Sequence, residues 1–251
     1  MRDVVGHIHI GADFLGNDYK AWENFFTIYN ECEEIFYKMS NRVGEIPREK
    51  VAEYAMSSND VISNTFENNE VSIETQEDLD LIIEAMKDTR NRGINFSNME
   101  EEGIQTIEFR IPNGTIDINT ITQNIRLFGQ LLNISKQASL DREYKKEELL
   151  ILKNHNLTER EKVESLLNLL FDEEKEKDLY RKRWDKIKDN DYFEQVKAEK
   201  PTFKRGNYSM REQTAEIYKE TRVEDRMKFV QMVRTTIEKI TNMSKQDRLS
   251  R

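Results

Sequence analysis

TIEFRIPNGTID, residues 106–117, is the stretch from which the fold can be read outward. In an extended chain side chains alternate at period 2, so Ile107, Phe109 and Ile111 share one face while Thr106, Glu108 and Arg110 share the other. Two residues of strand rise, about 6.6 Å, set the Glu108 carboxylate beside the Arg110 guanidinium. Pro112, Asn113 and Gly114 break the strand. Asp117 or Asn119 can then cap a helix in which Ile118, Ile121, Ile125, Phe128, Leu131, Leu132 and Ile134 repeat at helical spacing. Taken alone, the charged face has two readings: a solvated ion pair worth little, or a carboxylate and a cation with chemistry to perform.

Upstream, residues 4–10 read VVGHIHI, a β-rich run that puts Val4, Ile8 and Ile10 on one face and Val5, His7 and His9 on the other. A loop with Gly11, Asp13, Gly16 and Asn17 follows, and Asp18 caps a helix to about residue 39. Its stripe of Trp22, Phe25, Phe26, Tyr29, Cys32, Ile35, Phe36 and Met39 reads most simply as core. Residues 40–48 are a loop containing Arg42, with a short helix over 47–54. Residues 57–75 read as polar loop with a short strand near 71–73. The next helix begins at 75–78 and ends near 90–93, and 95–103 is loop. Beyond 140 the pattern is helical: 143–153, 158–171 with a capping box on Thr158 and Glu161, 174–188, and 209–243.

The net charge of −9 over 251 residues is unevenly spread. Residues 1–140 carry 12 basic against 24 acidic side chains, residues 141–251 carry 27 against 24, and eight of nine glycines precede residue 130. This predicts a turn-containing part that mixes strands and helices over 1–140, and a charged helical extension over 141–251. So acidic a first part argues against a general nucleic-acid surface. The basic segments at 175–188 and 197–211 are weaker candidates, the first being interleaved with acids. A mean hydropathy of −0.82, no long apolar run and no signal-like start predict a soluble chain with no membrane partner. One cysteine, Cys32, fits a reducing, cytoplasmic compartment.

Two imidazoles on one strand face suit a metal or a phosphate. The only other histidine, His155, falls in a helix-joining loop, which argues against a closed zinc site built from imidazoles. Neither common glycine-rich phosphate loop is present. A nucleotide would therefore be handled through carboxylate-held Mg²⁺ with arginine and histidine on the phosphates. Glu108 is a hard oxygen ligand on a rigid strand, and Arg110 could hold phosphate oxygens or the charge that develops in acyl transfer.

The order of these motifs resembles a known family. GHIHIG at 6–11, an aromatic helix, an SNR loop with Tyr54 beyond it, RNRGINFSN at 90–98, then TIEFRIPNGTID and its helix look like the C-terminal part of the amidoligase family, within the glutamine synthetase-like carboxylate-amine ligases. The similarity covers roughly residues 3–140. It implies an α+β core over 1–140, an antiparallel sheet with packed helices forming part of a glutamine synthetase-like fold, and an ATP- and Mg²⁺-dependent ligase that joins a carboxylate to an amine through an acyl phosphate. By that resemblance His7 and His9 face nucleotide phosphates or a metal, Glu108 and His9 are metal ligands, Arg110 stabilises phosphoryl oxygens, and Arg42, Asn95 and Asn98 line the pocket. Family members carry an upstream half with further acidic ligands, whereas here Met1 stands three residues before the His-x-His strand. The expectation is a partner chain that supplies that half, or a truncated product inactive alone. The alternative is a non-catalytic peptide- or protein-binding remnant with a helical partner-binding tail.

Overall fold

The structure is a computed structural model that describes residues 6–40, 55–66, 70–87, 90–100 and 105–187. The chain divides into two compact units, Met1–Pro201 and Thr202–Arg251, and every described residue lies in the first. Arg42, Tyr54 and the expected helices over 47–54 and 209–243 fall outside the described residues.

The described chain is mixed α+β, with seven α-helices and a three-stranded antiparallel sheet. Strands β1 (Ile8–Gly11), β2 (Ile94–Asn95) and β3 (Thr106–Phe109) lie in the order β1-β3-β2, so the stretch with the clearest period-2 pattern is the central strand. Ile107, Phe109 and Ile111 are fully buried on its inner face. There Phe109 stacks on Phe128 with ring centroids 4.2 Å apart and meets Phe25 edge-on at 6.4 Å. Burying one phenylalanine contributes about 2–3 kcal/mol, and the ring pairs add about 1 kcal/mol.

Phe25 and Phe128 belong to the two long helices beneath the sheet, α1 (Tyr19–Met39) and α4 (Ile118–Leu140). Both begin where the sequence places a cap: Asp18 accepts from the Ala21 amide, and Asp117 accepts from the Asn119 amide. Gly16, at a positive φ of 59°, makes the turn into α1, and its carbonyl accepts from the Trp22 indole at 2.9 Å.

Helix α3 (Gln76–Met86) opens with a capping box on Thr75 and Asp78, and α6 (Glu159–Leu170) with the expected one on Thr158 and Glu161. Helices α5 (Lys146–Leu152) and α7 (Glu174–Ile187) complete the helical part. It is tied to the core by buried polar anchors. Arg183 donates to the Met39 carbonyl at 3.0 Å and to Asn124 Oδ1 at 2.8 Å, and Lys38 joins Glu34 and Glu159 at 2.8 and 2.5 Å.

Three expectations differ from the structure. Part of the segment expected as loop over 57–75 is helix α2 (Asn59–Thr65). Its first turn is held by Glu33, from α1, which accepts from the Ser58 and Asn59 amides at 2.7 and 3.3 Å, with Ser57 Oγ also accepting from the Asn59 amide at 3.3 Å; the carboxylate lies outside residues 57–75. No strand forms at 71–73, although Ile73 is buried. Asn95, expected to open the loop over 95–103, is instead the second residue of strand β2, because the second edge of β3 offers its backbone as partner.

Candidate functional site

The antiparallel register builds the site. His9 pairs with Glu108 across β1 and β3, and Asn95 pairs with Glu108 across β2 and β3, so one row of the outer face reads His9, Glu108, Asn95. Continued by one step beyond Ile8↔Phe109, the same register sets His7 opposite Arg110. Residues about 100 apart in sequence thereby meet without any long side chain having to reach. Gly6 assists this at the start of the motif: a Cβ there would stand 2.8 Å from the Asn113 carbonyl oxygen, so the entry to β1 can pass directly against the 113–114 turn.

Glu108 is the hub. Its Oε1 lies 2.6 Å from His7 Nδ1, 3.2 Å from Arg110 Nη1 and 3.9 Å from His9 Nε2, while Oε2 accepts from the Asn95 amide at 2.7 Å. The carboxylate is buried, with the two imidazoles on its exposed side. Burial works against its charge, but the His7 hydrogen bond and the Arg110 guanidinium outweigh it and hold the carboxyl below the usual carboxylate range. Burial also pushes the His9 imidazole down, more than Glu108 pulls it up, which favours the neutral ring. An ionised carboxylate beside a neutral imidazole is the protonation state a metal ligand set requires.

A polar layer supports these groups. His9 Nδ1 lies 3.2 Å from Thr106 Oγ1 and 3.3 Å from Asn98 Nδ2, and the Asn98 amide also donates to Thr106 Oγ1 at 3.2 Å. Asn95 is buried, with its Oδ1 accepting from the Ser97 amide and hydroxyl, so it orients Glu108 from behind. Of the residues singled out from sequence, His7, His9, Asn95, Asn98, Glu108 and Arg110 come together on this face. Thr106 was not singled out, although the period-2 pattern already placed it on the Glu108 face.

His7, His9 and Glu108 form the one group among the described residues with three metal-ligating side chains in reach of one another. His155 lies elsewhere, in a surface hollow with Thr27, Glu31 and Lys153. Cys32 is inert: burial pushes its thiol up to about 12. The donor set does not fit the Mg²⁺ that the resemblance implies. That ion takes oxygen ligands, whereas this group offers one carboxylate, already charge-compensated by Arg110, and two nitrogens.

Among the described residues no helix is long and apolar enough to cross a membrane. Comparison of the chain with protein-family models, with curated proteins and with solved structures returned no match.

Proposed function

We propose that the chain is an ATP-dependent carboxylate-amine ligase of amidoligase type, or carries the C-terminal part of such an enzyme's site on the corresponding part of a glutamine synthetase-like fold. One observation carries the reading. The two motifs of the resemblance, GHIHIG and EFR, meet on one sheet face with a carboxylate, two imidazoles and a guanidinium in mutual reach.

In such a reaction an oxygen of the substrate carboxylate attacks the γ-phosphorus of ATP and ADP leaves. The amine nitrogen then attacks the acyl carbon, phosphate leaves, and the nitrogen loses a proton. Arg110 supplies fixed positive charge where the phosphoryl oxygens of the acyl phosphate gather. Glu108 holds Arg110 and His7, and Asn95 keeps Glu108 from turning away. The ring of His9, held through Nδ1, presents Nε2 toward the same point. The Mg²⁺ that accompanies ATP is held by the nucleotide's own phosphate oxygens. The substrates in this proposal are an amino acid or peptide carboxylate and a primary amine, handled in the cytoplasm, with a partner polypeptide supplying further acidic ligands.

The test is phosphate release from ATP by the full chain in Mg²⁺, with an amino-acid carboxylate and a primary amine, followed by mass detection of the amide. Release that depends on both substrates and falls at least ~100-fold in Arg110→Ala is expected, the size of a lost transition-state charge contact. Release unchanged in that variant, or absent from the wild type even with the partner polypeptide supplied, overturns the proposal.

A further inference from the structure

We propose that His7 Nδ1, His9 Nε2 and Glu108 Oε1 together bind one first-row transition ion of the Zn²⁺ or Co²⁺ class in a site with open positions, and that Mg²⁺ does not compete for it. This rests on the metal-site part of the reading above and not on its ligase chemistry.

The geometry comes first. Ligand atoms of a four-coordinate ion with bonds of about 2.1 Å stand about 3.4 Å apart. The two separations from Glu108 Oε1, 2.6 Å to His7 and 3.9 Å to His9, straddle that value, and the three atoms lie within 4.8 Å of one another. Small side-chain rotations bring them onto one centre, because His7 and His9 are partly exposed and Glu108 is fixed from behind by Asn95.

The proton arrangement comes second. Thr106 Oγ1 lies 3.2 Å from His9 Nδ1; with the ion bound, the ring carries its proton on Nδ1 and donates it there, and the Asn98 amide, which also stands 3.3 Å from Nδ1, donates to Thr106 Oγ1 alone. Nε2 then directs a lone pair toward a carboxylate oxygen at 3.9 Å, two acceptors facing with space for a cation between them. Thr106, itself held by the Asn98 amide, is the kind of outer support that orients a metal-bound imidazole. With the ion bound, the 2.6 Å hydrogen bond between His7 Nδ1 and Glu108 Oε1 gives way: the ring carries its proton on Nε2 and Nδ1 faces the ion.

The identity of the ion follows from the donors. Two imidazoles and one carboxylate suit transition ions, whereas Mg²⁺ depends on oxygen. Its single oxygen donor here shares Oε1 with the Arg110 guanidinium at 3.2 Å, which weakens a bond resting on carboxylate charge more than one resting on nitrogen lone pairs.

The experiment uses the full chain without a polyhistidine tag, titrated with Co²⁺ and followed by its visible d–d absorption, then challenged with Zn²⁺ or Mg²⁺. One equivalent of Co²⁺ should bind, be displaced by stoichiometric Zn²⁺, and persist in about a thousandfold excess of Mg²⁺. His9→Ala should weaken binding by at least ~10-fold and Thr106→Val, which touches no ion, by about 10-fold, while His155→Ala matches the wild type. Circular dichroism confirms that each variant is folded, and His9 is exposed enough for its removal to spare the fold. Displacement of Co²⁺ by Mg²⁺ at comparable concentration, or wild-type affinity in His9→Ala, overturns the proposal. Co²⁺ binding without amide formation supports this proposal while overturning the ligase; Mg²⁺-dependent turnover with no Co²⁺ site does the reverse.

Discussion

Two buried glutamates, Glu33 and Glu108, stand at opposite ends of what a carboxylate can do inside this protein. Glu33 is enclosed at the junction of α1 and α2 and is surrounded by neutral donors: Tyr29 OH at 3.1 Å, Ser57 Oγ at 2.5 Å, and the Ser58 and Asn59 amides. Burial pushes its carboxyl up, and these donors only partly oppose that. Glu108 is also buried, yet its neighbours are two imidazoles and a guanidinium on a face that opens to solvent, and its carboxyl is held down. The first arrangement satisfies a helix start and holds the chain together. The second gathers titratable and cationic groups at a surface, as a site must. Burial alone does not separate structure from chemistry; the company of the carboxylate does.

The two faces of β3 give the largest test of this contrast. Phe109→Ala on the inner face should cost about 3–5 kcal/mol in urea unfolding, because it empties the space between Phe25 and Phe128. Next comes Glu33→Ala, which takes the acceptor from the Ser58 amide at the start of α2 and from the buried Tyr29 hydroxyl, and should cost about 3 kcal/mol. Faster hydrogen exchange in residues 59–65 is the direct readout, and a Co²⁺ affinity like the wild type's would show that Glu33 has no part in the site. Glu108→Gln should change stability by only about 1 kcal/mol, since Asn95 keeps an acceptor, while lowering Co²⁺ affinity at least ~10-fold. A large stability loss with unchanged ion binding would make Glu108 a second Glu33.

The pH dependences should have opposite signs. A raised folded value means that Glu33 contributes stability below the ordinary carboxylate range, lost as pH rises. A lowered one means that Glu108 contributes stability above that range, lost as pH falls. Unfolding of each variant between pH 3.5 and about 7 reads the sign.

The smallest effect concerns Asp18, a more exposed carboxylate between these extremes. Burial is the largest single influence and works against its charge, but the Ser139 hydroxyl, Lys136 and the Ala21 amide together outweigh it and hold its carboxyl below the usual range. Asp18→Ala should cost about 1 kcal/mol at neutral pH, the size of a lost helix cap. That difference should shrink as pH falls below about 4, where the carboxylate protonates. A constant difference across pH would mean that the cap works without its charge.

Much of the frame was legible in residue order. The strand at the centre of the sheet, the starts of α1, α3, α4 and α6, and the aromatic core stripe follow from period-2 and helical spacing with local caps, all of which act over a few residues. The sharing of a face by His7 and His9, and by Thr106, Glu108 and Arg110, is local in the same way. What could not be read is whatever depends on partners far along the chain. Helix α2 exists on a carboxylate from α1, and β2 is two residues long because β3 offers an edge.

The sequence by itself set which side chains each strand presents, since the alternation of a pleated chain leaves no choice. Only the tertiary structure decided that His9, Glu108 and Asn95 form one row, because strand order and register are settled by packing of the inner face, where Phe109 meets Phe25 of α1 and Phe128 of α4. The donor set of the site, two nitrogens and one shared carboxylate oxygen, is a product of that register.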